Sequence, residues 1–196
     1  FIHKGDAEWF TIIHVDIEAR AGQGIMAIPK IGEALSQDNH DGVIQGLESI
    51  HESLAKMMTT LKRMPEHCHP RVYYHEVRPY IMSFTDVVYQ GVEKFKGQAQ
   101  SFAGETGAQS SVIPALIRFM GLSHEENSMT RYLTVMQDYM PQAHRAFIKG
   151  IQLNMLRNYV IKKNKTPLND AYNHTLQQIF EMFFLEKIKP KKSFRY

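Results

Sequence analysis

The chain has 196 residues, 43% hydrophobic and 22% charged, with a formal net charge of +3 and a pI near 8.9. That balance suits one soluble globular domain with a sizeable core, and no apolar run approaches the roughly 20 residues that a membrane helix needs. The mild positive charge is scattered except for Lys187, Lys189, Lys191, Lys192 and Arg195, which reads as a solvated tail and not as the broad basic stripe of a nucleic-acid footprint. Cys68 is the only cysteine, so no internal disulfide can form and a reducing, cytoplasmic compartment is expected. The first residue is Phe1 and not Met, which reads as a fragment or a trimmed product.

Asp6 is placed to cap a first helix with Phe10, Ile13, His14, Ile17 and Ala21 on one face, although the β-branched run 11–17 also suits a buried strand. Gly22 and Gly24 are expected to end this element, and Pro29 to open a short helix through Leu35. The clearest element follows a cap at Asn39 or Asp41, because Val43, Leu47, Ile50, Leu54, Met57, Leu61 and Met64 alternate steps of four and three up to Pro65. The triplet His67-Cys68-His69 lacks the two-residue spacing of a structural zinc site. Residues 70–84 read as a helix between Pro70 and a kink or stop at Pro79. Arg78, one turn after Tyr73 and Tyr74, could point inward to hold a carboxylate bidentately, or lie on the surface stacked on Tyr74.

Residues 85–101 show no period and read as a long surface loop. The stretch 102–112, small and polar with Gly104 and Gly107, reads either as an ordinary connection capped by Ser110 or Ser111 or as a loop that lets backbone approach a bound group, in both cases feeding a helix from Val112 to Gly121. Asn127 or Ser128 caps a helix carrying Met129, Tyr132, Leu133, Met136 and Met140. A helix restarted by Pro141 is expected to continue through Ile151, Met155 and Tyr159. Thr166-Pro167 opens a last one with Leu168, Tyr172, Leu176, Ile179 and Phe183 on one face. The sum is a single all-α domain, a bundle of seven or eight helices. Among ten histidines, His14 stands out for its apolar surroundings, whereas His75 and His144 stand beside charged residues and suit a surface role.

Five segments, in order, carry a resemblance. Phe102-Ala103-Gly104 followed by Gln109-Ser110-Ser111-Val112 resembles the Phe-Ala-Gly-Gly-Ser-Ala-Gly-Gln-Ser-Ser loop of the indoleamine 2,3-dioxygenase family, and Tyr139-Met140-Pro141-Gln142-Ala143-His144-Arg145 resembles its Tyr-Met-Pro-Pro-Ala-His-Arg signature. Ala27-Ile28-Pro29, Val77-Arg78-Pro79-Tyr80 and Ala171-Tyr172-Asn173 are similar in the same order. The resemblance implies the multi-helix fold of the indoleamine and tryptophan dioxygenases. Residues 1–196 would correspond to the large haem-binding domain, without the smaller N-terminal one. It implies a monomer holding haem b and its iron, which cleaves the indole 2,3 bond of tryptophan or a related indoleamine with O₂ to give N-formylkynurenine.

By the same resemblance, Arg78 binds the substrate carboxylate and Tyr73 and Tyr74 line the pocket where the family usually has phenylalanines. His14 matches a distal position and could accept a hydrogen bond from the indole N–H. Gly104, Thr106 and Gly107 match loop positions against haem and substrate. Glu105 replaces a glycine, where it could repel a haem propionate or engage the substrate ammonium. The family's proximal histidine follows a Leu-Arg pair by three residues. Phe194-Arg195 resembles that pair, which puts Arg195 beside haem and the ligand past Tyr196; read without the extra separation from Tyr172, Glu186 falls near the ligand position, and His174 is too early. No residue is assigned to the iron. The alternative is a non-catalytic member that binds haem and O₂ or a small indole.

Overall fold

In the computed structural model, residues 4–123 and 126–187 are described, and among them seven helices carry the fold. The first two form its base. Helix α1 (Lys4–Ser36) turns back through residues 37–39 into α2 (His40–Lys62), and the Asn39 side chain accepts the Gly42 N–H at 3.0 Å as the expected cap. The four-and-three spacing buries Val43, Leu47, Ile50, Leu54 and Met57 of α2 against Ala21, Ala27, Ile28, Ile31 and Ala34 of α1.

The expected break in α1 at Gly22 and Gly24, with a separate helix from Pro29, is corrected by a helix continuous through all three. Gly24 answers to packing, as does Gly46 of α2, whereas Gly22 faces open space. A Cβ on Gly24 would stand 3.0 Å from Ser53 Oγ, and one on Gly46 would stand 2.2 Å from Ile31 Cγ1, so the two helices approach too closely for a side chain there. Pro29 removes one ladder donor, a local cost that burial of Ile28 and Ile31 on either side offsets. Polar links fix the register of the pair: Ser53 Oγ donates to the Arg20 carbonyl at 2.7 Å and Thr60 Oγ1 to Asp16 at 2.7 Å. Hydrogen bonds from Arg20 and Thr60 hold the Asp16 carboxyl below its ordinary range.

The remaining helices are α3 (Val112–Phe119), α4 (Ser128–Met136), α5 (Gln142–Gly150), α6 (Met155–Lys163) and α7 (Thr166–Lys187). Leu168, Tyr172 and Ile179 of α7 join the core as the spacing predicts, Met182 joins them, and Thr175 Oγ1 sits 3.2 Å from the Leu47 carbonyl of α2. Tyr172 OH donates to the Met120 carbonyl at 2.6 Å just past the end of α3, and burial pushes its phenol up. The expected continuous helix from Pro141 through Tyr159 is instead two, broken after Gly150 by a turn in which Asn154 has φ +65°. Arg118 Nε donates to the Ile151 carbonyl freed there at 2.8 Å.

The surface loop expected over residues 85–101 is also corrected. Strands β1 (Phe84–Val87) and β2 (Gln100–Phe102) pair antiparallel with Phe84 opposite Phe102. Lys96 and Gly97, at φ +49° and +70°, turn the connection, and the rings of Tyr89, Phe95 and Phe102 cluster at 5.5 to 6.3 Å.

Alanine in place of a mid-helix glycine ordinarily stabilises by about 1 kcal/mol. At Gly46 the sign should reverse: Gly46→Ala should lower the free energy of unfolding by about 1–3 kcal/mol through overpacking on Ile31, read by urea denaturation. A stabilised variant would show that the α1–α2 seam has slack.

Candidate active site: a cleft between the Arg78 turn and the glycine loop

The segment after α2 is helical but irregular. Pro70 starts one α-turn, Tyr73–Val77 forms a π-turn and Arg78–Tyr80 a 3₁₀ turn with Pro79 inside it. Wide π-turns break the ordinary spacing and recur at functional sites. Here the turn is anchored by Val77, 2% exposed, and pinned at its start by the Asp6 carboxylate, which accepts the His69 N–H at 2.6 Å. That bond is the role of Asp6, in place of a helix cap. The two tyrosines part company: Tyr73 stacks on Phe10 of α1 at 4.7 Å, while Tyr74, 60% exposed, faces the cleft.

The glycine loop lies across the end of this segment. A Cβ on Gly104 would stand 2.2 Å from the Ile81 carbonyl oxygen and 2.7 Å from Ser83 N, so only glycine permits the crossing. Gly104 N–H donates to Ser83 Oγ at 3.3 Å, and Gln109 Nε2 donates back to the Gly104 carbonyl at 3.0 Å. Thr106 Oγ1 accepts the Ala108 N–H at 3.3 Å, capping the 3₁₀ turn Gly107–Gln109. The signature segment before and within α5 holds the loop from outside: Tyr139 OH accepts the Ala103 N–H at 3.0 Å, and His144 Nδ1 shares a hydrogen bond with Ser111 Oγ at 2.9 Å. His144, expected at the surface among charges, is a loop anchor.

Between the turn and the loop is a cleft of about 450 Å³, lined by Tyr74, His75, Arg78, Ile81, Glu105 and Thr106, with Tyr132 of α4 closing one side. Pro79, Met82, Ser83 and Gly104 complete it. Its volume lies within the ~300–1,000 Å³ of small-molecule sites. The Arg78 guanidinium forms no ion pair or hydrogen bond among the described residues, and neither does Glu105. An unneutralised guanidinium in a concave, ring-lined site can take a carboxylate bidentately.

Five of the residues expected at the site, Tyr74, Arg78, Gly104, Glu105 and Thr106, meet on this cleft. Gly107 begins the short turn immediately behind it. His14 and Tyr73 do not line it; both pack against the Phe10 ring, at 4.2 and 4.7 Å between centroids. His14 Nδ1 lies 2.7 Å from the Phe10 carbonyl, which can only accept, so Nδ1–H donates to it. Arg195 lies outside the described residues. Sequence reasoning missed His75, Met82, Ser83 and Tyr132 as cleft residues; only Tyr132, an aromatic left 44% exposed on α4, carries a signal, and that signal needs the fold to be seen. Among the described residues no group of three or more His, Cys, Asp or Glu could hold a metal ion, the His67-Cys68-His69 triplet included.

The family model for indoleamine 2,3-dioxygenase matches residues 1–183. The chain belongs to the indoleamine 2,3-dioxygenase family. It is 29% identical over 181 residues to human indoleamine 2,3-dioxygenase 2, covering 88% of this chain and 44% of the relative. It is 34% identical over 175 residues to indoleamine 2,3-dioxygenase acdA of Aspergillus candidus, covering 82% and 43%, and 28% identical over 193 residues to indoleamine 2,3-dioxygenase of Saccharomyces cerevisiae, covering 89% and 42%. The chain thus spans less than half the length of these relatives.

The contact between the two family segments yields a test. Tyr139→Phe removes the acceptor of the Ala103 N–H, and hydrogen exchange at that amide should accelerate on the order of tenfold, as expected for losing ~1 kcal/mol of hydrogen bonding. Unchanged protection would mean that the loop is held without Tyr139.

Proposed function

We propose that this chain is the large, haem-binding domain of a dioxygenase that opens the indole 2,3 bond of tryptophan or a related indoleamine with O₂, giving N-formylkynurenine. The observation that carries the reading is Arg78: a guanidinium with no partner among the described residues, on a cleft walled by Tyr74, Tyr132 and the glycine loop. Family membership supplies the chemistry, and the cleft supplies the fit for an aromatic amino acid. In this reading Arg78 takes the carboxylate, the ring faces of Tyr74 and Tyr132 cover the indole, and Thr106 Oγ1 stands at the cleft wall as a polar contact.

Haem asks for an apolar wall and a donor to its iron: Ile81 and Met82 are apolar side chains on the cleft, Phe84 and Phe102 are exposed apolar side chains on the paired strands next to it in sequence, and no described residue is assigned to the iron. Residues 104–107 would border haem b, which when bound supplies the binding and activation of O₂. His14 lies off the cleft lining, against Phe10, and no contact with the indole is assigned to it. The enzyme is proposed to work in the cytoplasm; no helix among the described residues is long and apolar enough to cross a membrane.

The reading predicts that haem-supplemented full-length protein shows a Soret band that shifts with CO, and a protein without one would contradict it. Arg78→Ala should weaken tryptophan binding on the order of 10- to 100-fold, the worth of hydrogen bonds to a charged group, and Arg78→Lys should fall between because it keeps charge without the fork. Equal affinity in all three would remove Arg78 from the carboxylate site.

A further inference from the structure

Resting on that reading, we infer that Glu105 is the recognition group for the substrate ammonium, so that this cleft selects a zwitterionic amino acid over an indole carrying either charge alone. The cleft presents two opposite charges, Arg78 from the irregular turn and Glu105 from the glycine loop, and they do not neutralise each other: no ion pair within 4.0 Å joins them, and each lacks a hydrogen-bond partner among the described residues. Two such groups lining one site of about 450 Å³ carry the charges complementary to the carboxylate and the ammonium of an α-amino acid. The other polar groups facing the cleft are His75, Ser83, Thr106 and the tyrosines, so Glu105 is its one carboxylate.

The loop is also held in a way that keeps Glu105 in place. Its neighbours on both sides are tied, Gly104 to Ser83 and Gln109, and Thr106 to Ala108, so the carboxylate is presented from a fixed backbone and less loop freedom is lost on binding. A glycine at this position would leave the ammonium to water. Glu105 therefore adds specificity against indoles that lack the amine, since those would leave its carboxylate desolvated and unpaired.

The test is equilibrium binding of three ligands to full-length, haem-loaded protein: tryptophan, tryptamine, which lacks the carboxylate, and indole-3-propionate, which lacks the ammonium. Glu105→Gln and Glu105→Gly should each weaken tryptophan and tryptamine about tenfold and leave indole-3-propionate unchanged or tighter. Wild-type protein that binds tryptophan, with variants that bind all three ligands as it does or lose all three equally, would overturn the role of Glu105 and leave the proposed function standing. Wild-type protein that binds none of the three would overturn both.

Discussion

The site depends on one close approach: the backbone at Gly104 lies under the carbonyl of Ile81 and the amide of Ser83, at distances no side chain could survive. Everything on the cleft is placed by that crossing. On one side it fixes the turn that carries Tyr74 and Arg78, and on the other it fixes the loop that carries Glu105 and Thr106. Two groups far apart in sequence become opposite walls of one cavity because a glycine lets two strands of backbone touch. The hydrogen bonds of Gly104 to Ser83 and of Gln109 to Gly104 then satisfy the polar groups that the crossing brings together.

Behind the crossing stands a scaffold with little freedom. The pair α1–α2 is held by small residues at the seam, and α1 positions the site by contact: Asp6 receives the His69 amide, and the Phe10 ring packs on both Tyr73 and His14. Tyr139 and His144 clasp the loop at Ala103 and Ser111. The family segments that look separate along the chain are therefore mutual supports. Their residue types follow from that: a phenol OH can accept the amide of Ala103, and an imidazole nitrogen can reach the Ser111 hydroxyl.

Much of the fold was legible in the sequence, where one face of a helix is buried along its whole length. Helix α2 and the last helix follow from Val43, Leu47, Ile50 and Leu54, and from Leu168, Tyr172 and Ile179, because period and burial coincide. Where residues answer to a distant partner, local rules mislead. Gly24 reads as a stop and Pro29 as a fresh start, yet the first is a contact with Ser53 and the second lies inside one continuous helix. The pairing of Phe84 with Phe102 and the turn at Asn154 hid for the same reason. At the site, Arg78 and the loop came from motif order, whereas Tyr132, His75 and the anchoring part of His144 depend on long-range geometry that no spacing encodes.

The claim at the centre is that this cleft binds an indole amino acid beside haem for oxygen insertion. The most direct measurement is turnover: full-length, haem-loaded protein, kept reduced, given tryptophan and O₂, with the product identified by mass. The account predicts N-formylkynurenine, heavier than tryptophan by both atoms of one O₂ molecule. Haem-loaded protein that leaves tryptophan and related indoleamines intact would contradict it.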